Sequence, residues 1–125
     1  MASGKANLIP LVKDILDLDP GMRFAAVINL QGGIREAIMK KGKTSLKSQK
    51  EEEHFCQQVA QRRKMRREFD KSLGKVTYVH VERDKVSQMV IYTPRNTVYF
   101  TIERDMPIAH KIQIVEKVKE ITNVI

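Results

Sequence analysis

Residues 23–39 read Arg23-Phe24-Ala25-Ala26-Val27-Ile28-Asn29-Leu30-Gln31-Gly32-Gly33-Ile34-Arg35-Glu36-Ala37-Ile38-Met39. Phe24–Ile28 is a short, unbroken apolar run, the pattern of a strand buried on both faces. Gln31-Gly32-Gly33 supplies the positive-φ backbone of a tight hairpin, and Ile34–Met39 returns as a second strand. Upstream, Leu8, Leu11, Val12, Ile15 and Leu16 recur at helical spacing, with Pro10 in the first turn, where its missing N–H costs nothing. Asp17-Leu18-Asp19-Pro20-Gly21 stops that helix. Downstream, residues 40–48 form a basic loop, and a long helix is predicted over Gln49–Leu73. Ser48 is its N-cap, Glu51, Glu52 and Glu53 suit its positive end, and Gly74 ends it. Strands are predicted over Val76–Glu82, Val86–Thr93 and Thr97–Glu103. Asp105 caps a last helix with Ile108, Ile112, Val115, Val118, Ile121 and Ile125 on one stripe.

The order α-β-β-α-β-β-β-α predicts an α+β fold, a five-stranded antiparallel sheet flanked by helices on both faces. Val98, Phe100 and Ile102 share one face of the last strand, and the same reading puts Val79 and Val81 with them. Tyr78, His80, Tyr92, Thr97, Tyr99 and Thr101 fall on the other. The terminal helices are expected on the apolar face and the long helix on the half-polar one.

The 125 residues allow a single domain, 1–125, with residues 1–6 as a flexible N-terminus. A hydrophobic content of 42% and a charged content of 30% fit a folded domain rather than a disordered chain. One cysteine, Cys56, excludes an internal disulfide. No apolar run reaches the roughly 20 residues of a membrane span, and Met1-Ala2-Ser3-Gly4-Lys5 lacks a secretory h-region. A cytoplasmic location is expected.

The net charge of +8 is unevenly placed. Residues 35–75 hold 13 of 23 basic and 6 of 15 acidic residues, or +7. Candidate anion-binding residues are Lys40, Lys41, Lys43, Lys47 and Lys50 in and beside the loop, with Arg63 and Arg67 on the helix. On the long helix Phe55, Val59, Phe69 and Leu73 lie along one stripe, and Arg62 and Arg66 fall inside it. Cations in an apolar seam need carboxylates, aromatic faces or an escape to water. These six, with Tyr78 and His80, are the candidate dimer or partner interface. A helix of 25 residues is about 37 Å long and overhangs six- to eight-residue strands, which favours packing on a second copy.

No catalytic, cofactor or metal site is expected. Gly42-Lys43-Thr44-Ser45 sits between strand and helix like the end of a phosphate-binding loop, but the required first glycine is replaced by Ala37. His54 and Cys56 are two residues apart on a helix, so about 200° separates them and they cannot share a metal. Cys56 lies about 100° from the helix stripe and has no Cys/His/Asn-like constellation nearby in sequence.

Arg23–Ile28, Gln31-Gly32-Gly33-Ile34, Phe69-Asp70-Lys71-Ser72-Leu73-Gly74 and Val79-His80-Val81-Glu82-Arg83, in this element order, resemble the roadblock/light-chain-type domain, a profilin-like sandwich, and within it an archaeal branch. The resemblance spans residues 7–125. It implies a non-enzymatic module that dimerises through the central helix and the third strand's edge, and that binds or regulates small GTPases. Where many members carry Asp-Gly at the hairpin, this chain has Gln31-Gly32-Gly33, which keeps the turn chemistry.

Three functions stay open at this point. The first is a homodimeric scaffold or regulator, with a small GTPase or an acidic protein as partner. The second is non-specific nucleic-acid binding through the loop and helix cations, with few aromatics to spare for stacking. The third is small-molecule sensing by Tyr78, His80 and Tyr92 beneath the long helix.

Overall fold

A computed structural model describes residues 7–125; the expected flexible segment 1–6 lies outside them. The elements are α1 (Ile9–Leu16), β1 (Met22–Asn29), β2 (Ile34–Met39), α2 (Gln49–Arg66), a 3-10 turn (Arg67–Phe69), α3 (Asp70–Leu73), β3 (Val79–Glu82), β4 (Ser87–Tyr92), β5 (Asn96–Ile102) and α4 (Ile108–Thr122). The strands form one antiparallel sheet in the order β2-β1-β5-β4-β3. β1, β5 and β4 are therefore interior strands, and every residue of β5 is buried, the polar Asn96, Thr97 and Thr101 included.

Side chains alternate across the sheet and build two cores. Ala25, Val27, Met89, Ile91, Val98, Phe100 and Ile102 pack under α1 and α4. Phe24, Ala26, Ile28, Val90 and Tyr99 pack under Cys56 and Val59 of α2. This is the expected five-stranded sheet with helices on both faces.

The hairpin closes as its glycines require. Gly32 has φ +94°, and the Asn29 side-chain oxygen accepts from the N–H groups of Gln31 and Gly33. Gly32 also lets α2 come close, since a Cβ there would lie 2.7 Å from the Gln57 Cα. Ser48 and Glu51 form a reciprocal capping box at the start of α2.

Four expectations need correction. The helix over 49–73 is not continuous: α2 ends at Arg66 and a 3-10 turn follows. From Arg67 to Leu73 no side chain is buried, because the arm has passed the sheet it packed on. The third strand begins at Val79 rather than Val76, since the chain uses the residues after Gly74 to return from the helix layer to the sheet edge. Its faces are also reversed. Val79 pairs with Val90 and so faces α2 with Val81, while His80 pairs with Met89 on the α4 side, where Tyr78 also packs. Finally, Pro107, not Asp105, is the N-cap of α4, with no side-chain cap bond. Ile108 is exposed and Ile114 takes its place in the core.

Candidate interaction surface

α2 begins beside Gln88 and Thr101 and ends beside Tyr92 and Thr93, so it runs in the direction of β4. Of the stripe expected to face a partner, two residues turn inward. Val59 is buried, and the Phe55 ring packs on Tyr99 at 4.8 Å. Arg66 donates to the Tyr92 hydroxyl at 2.8 Å, and Arg62 is exposed with no ion pair or hydrogen bond among the described residues.

The cation that grips the sheet is Arg63. Its guanidinium donates to the Asn96 carbonyl at 2.6 Å, the Thr97 hydroxyl at 2.9 Å and the Thr93 carbonyl, and it stacks 4.8 Å from the Tyr92 ring centre. Burial pulls its pKa below the usual guanidinium value.

Beyond Arg63 the arm opens to solvent. Met65, Phe69 and Leu73, four residues apart, are 66%, 55% and 81% exposed. Net charge follows the helix axis. Residues 49–60 carry one basic and three acidic residues, whereas residues 61–75 carry seven basic and two acidic. Alongside lies the sheet edge, where β3 pairs only with β4 and Val81 is 40% exposed.

Tyr78 and His80 do not join this surface. Lys119 approaches the Tyr78 ring on the α4 side, and His80 bonds Glu82 at 2.9 Å. Glu82 gathers Ser87, His80 and the buried Lys111, whose ammonium also donates to the Arg104 carbonyl. The Ser87 hydroxyl first, then His80 and Lys111, pull the Glu82 carboxyl down to about 2. Tyr78, His80 and Tyr92 therefore do not form one binding site.

The loop lysines are mostly engaged. Lys40 donates to the Leu16 and Asp19 carbonyls, closing the end of α1. Lys43 shares Glu103 with Arg23 and holds that carboxyl below its usual range. Lys47 bridges Glu52 and the Tyr99 hydroxyl. Lys41, Lys50 and Arg67 are exposed. Burial and the neighbouring Glu52 push the Cys56 thiol up to about 12, so it stays protonated and packs as an apolar group.

A family model described as a family of unknown function, DUF6659, matches residues 10–123, from the second residue of α1 to just past the end of α4. The chain belongs to the DUF6659 family. No curated protein matches it. Solved structures share the fold at low identity. The gliding protein MglB from Thermus thermophilus aligns with a TM-score of 0.76 at 11% identity, over 93% of this chain and 85% of that one. A roadblock/LC7 domain from Streptomyces avermitilis gives 0.66 at 15%, over 92% and 97%. Profilin IA from Acanthamoeba castellanii gives 0.62 at 14%, over 94% and 98%. This DUF6659 chain thus has the roadblock fold within the profilin-like class. Among its described residues no helix is long and apolar enough to cross a membrane, and no cluster of three or more His, Cys, Asp or Glu could hold a metal.

Sequence reasoning missed Met65 and Val81, although Met65 stands four and eight residues before Phe69 and Leu73. It also assigned Arg63 to anion binding, whereas that side chain is held on the β4–β5 turn. The helical sequence of Cys56, Val59, Ala60 and Arg63, spaced i, i+3, i+4 and i+7, contained that signal.

Proposed function

We propose that this chain is a non-enzymatic, homodimeric interaction module that scaffolds or regulates a protein partner, a small GTPase being the partner class its fold favours. The observation that carries this reading is the charge-polarised helix beside an unpaired strand edge. A two-fold axis normal to the sheet at β3 would pair the two β3 strands antiparallel and set the two α2 helices antiparallel on one face. The acidic first turns of one α2 then meet the basic arm of the other, and Met65, Phe69, Leu73 and Val81 leave water together. MglB, which shares the fold, has been solved in a tetrameric arrangement. Nucleic-acid binding is less favoured, because Lys40, Lys43, Lys47 and Arg63 are engaged within the chain.

Light scattering on a sizing column tests the assembly. The expected result is a dimer that persists at high salt, with Val81→Glu and Leu73→Asp shifting it to monomer. A wild-type monomer at low and high salt, or dimers indifferent to both substitutions, removes this interface. The GTPase part is tested separately, by nucleotide exchange and hydrolysis rates of purified small GTPases with and without the chain; unchanged rates and no binding would refute it.

A further inference from the structure

The arm carries a second feature on a different face from its exposed apolar residues. Arg63, Arg66, Arg67 and Asp70 follow one another at i, i+3, i+4 and i+7, so they share one side of the helix, turned roughly 100° from Met65, Phe69 and Leu73. That side looks onto the β4–β5 turn, and the chain leaving Gly74 closes the rim at Lys75 and Val76. Between them lies a pocket of about 420 Å³. The volume falls in the range of small-molecule sites, roughly 300–1,000 Å³.

Four cations line this pocket, Arg63, Arg66, Arg67 and Lys75, against one carboxylate, Asp70. Arg67 and Lys75 are exposed, and neither they nor the Asp70 carboxyl make a side-chain hydrogen bond or ion pair among the described residues. Arg63 has both terminal nitrogens engaged on the turn, so it adds charge to the wall rather than a free fork. Burial first, and the nearby Arg67 with it, lower its pKa, which marks the crowding of like charges. Arg66 spends only Nη1, on the Tyr92 hydroxyl at 2.8 Å, leaving Nη2 and Nε open. Tyr92 accepts that bond, so its own hydrogen has no acceptor among the described residues. The residue is half-buried at the pocket wall, within reach of a ligand.

We infer that this pocket binds a phosphate monoester. At neutral pH that group carries nearly two negative charges on three acceptor oxygens. Arg66, Arg67, Lys75 and the Tyr92 hydroxyl approach from helix, arm, connection and strand, which suits a tetrahedral group better than a flat one. A carboxylate brings one charge and two oxygens in a plane, and a phosphodiester brings one charge, so each leaves the cluster less neutralised. The site does not depend on the assembly proposed above, whose apolar residues lie on the other face of the arm.

The test is an NMR titration of the full chain with phenyl phosphate, at constant ionic strength and a pH of about 7.5, where the monoester is doubly ionised. Methyl phenyl phosphate and benzoate are the singly charged probes. Phenyl phosphate should give saturable shifts at the amides of Arg67, Val76 and Thr93, with a Kd of about 1 mM or tighter. The other two should bind at least about fivefold more weakly. Arg67→Ala and Lys75→Ala, both at exposed positions, should each lose about fivefold, and Asp70→Asn should tighten binding. Arg62→Ala removes the same charge from the same arm outside the pocket, and should stay within about twofold of wild type. Phosphatidylcholine vesicles with and without phosphatidic acid separate the sources of the phosphate. Sedimentation that requires phosphatidic acid and Arg67 assigns a lipid headgroup, and phenyl phosphate binding without sedimentation assigns a soluble ester. No saturable shift, shifts centred elsewhere, equal binding of the three probes, or equal weakening by Arg62→Ala and Arg67→Ala would each overturn the site.

Discussion

Replacing Arg63 by alanine tests which cation anchors the long helix. The guanidinium spans the β4–β5 turn, donating to the Thr93 and Asn96 carbonyls and the Thr97 hydroxyl while stacking on Tyr92. Not all of these bonds are lost at full value. The Asn96 carbonyl also accepts from the Thr93 amide and hydroxyl, so it stays satisfied without Arg63. Among the described residues the Thr93 carbonyl has no such second donor, and its loss dominates the cost. A hydrogen bond to a charged group contributes about 1.5–3 kcal/mol and an exposed cation–π contact about 0.5–1. Because the group is partly exposed and water can replace some of this, the expected destabilisation is about 2 kcal/mol. For 125 residues the unfolding entropy near Tm is about 0.26 kcal/mol/K, which makes that a fall of about 8 °C in Tm. Differential scanning calorimetry reads it directly, with Arg62→Ala as the control at an expected change within about 0.5 kcal/mol. Arg63→Lys should recover little, since an ammonium cannot reach two carbonyls and a hydroxyl in one plane. Equal losses for Arg62→Ala and Arg63→Ala, or full rescue by lysine, would refute this account of how α2 is held.

Two further outcomes follow from the geometry. Gly32→Ala combines a left-handed φ with a Cβ placed 2.7 Å from the Gln57 backbone, and should cost about 2–4 kcal/mol by urea denaturation at unchanged m-value; a loss below about 1 would mean that hairpin and helix can separate cheaply. The depressed Glu82 pKa predicts acid sensitivity: its contribution is complete above the unfolded value of 4.5 and is lost as pH falls toward about 2. Glu82→Gln should flatten that part of the stability–pH curve, and identical curves for variant and wild type would remove the cluster from the acid response.

How far the sequence could be read depended on whether neighbours along the chain or across the fold decided the outcome. The β1–β2 hairpin was legible because Gly32 and the apolar run Phe24–Ile28 act locally. The Ser48 cap was legible for the same reason. The faces of β3 were not. Tyr78-Val79-His80-Val81 alternates equally well in either sense, and only the pairing of Val79 with Val90 selects one. Tyr78, His80 and Glu82 then tolerate the α4 side because Lys111 and Lys119 are there to meet them. On α2 the stripe through Phe55, Val59, Arg62 and Arg66 is one helical step from the buried one through Cys56, Val59, Ala60 and Arg63. Large apolar residues drew the reading outward, whereas the small Cys56 and Ala60 marked the side where hairpin and sheet come close.

The charge of +8 overstates what a partner would meet. Lys40, Lys43 and Lys47 close the loop onto α1, Glu103 and Tyr99, and Arg63 is spent on the β4–β5 turn. Besides Lys41 and Lys50, exposed positive charge lines the arm at Arg62, Lys64, Arg67, Lys71 and Lys75, while at the other end of α2 Glu53 is exposed, Glu51 is held in the capping box and Glu52 is paired with Lys47. A uniform polyanion satisfies one end of such a helix and is repelled by the other. A second α2 running antiparallel satisfies both, and the exposed Met65, Phe69 and Leu73 between them supply apolar area that charge alone does not. The polarity of α2, more than the total charge, therefore argues for a self-complementary surface, and reversing Arg62 and Lys64 to glutamate should weaken self-association more than any charge reversal within the loop.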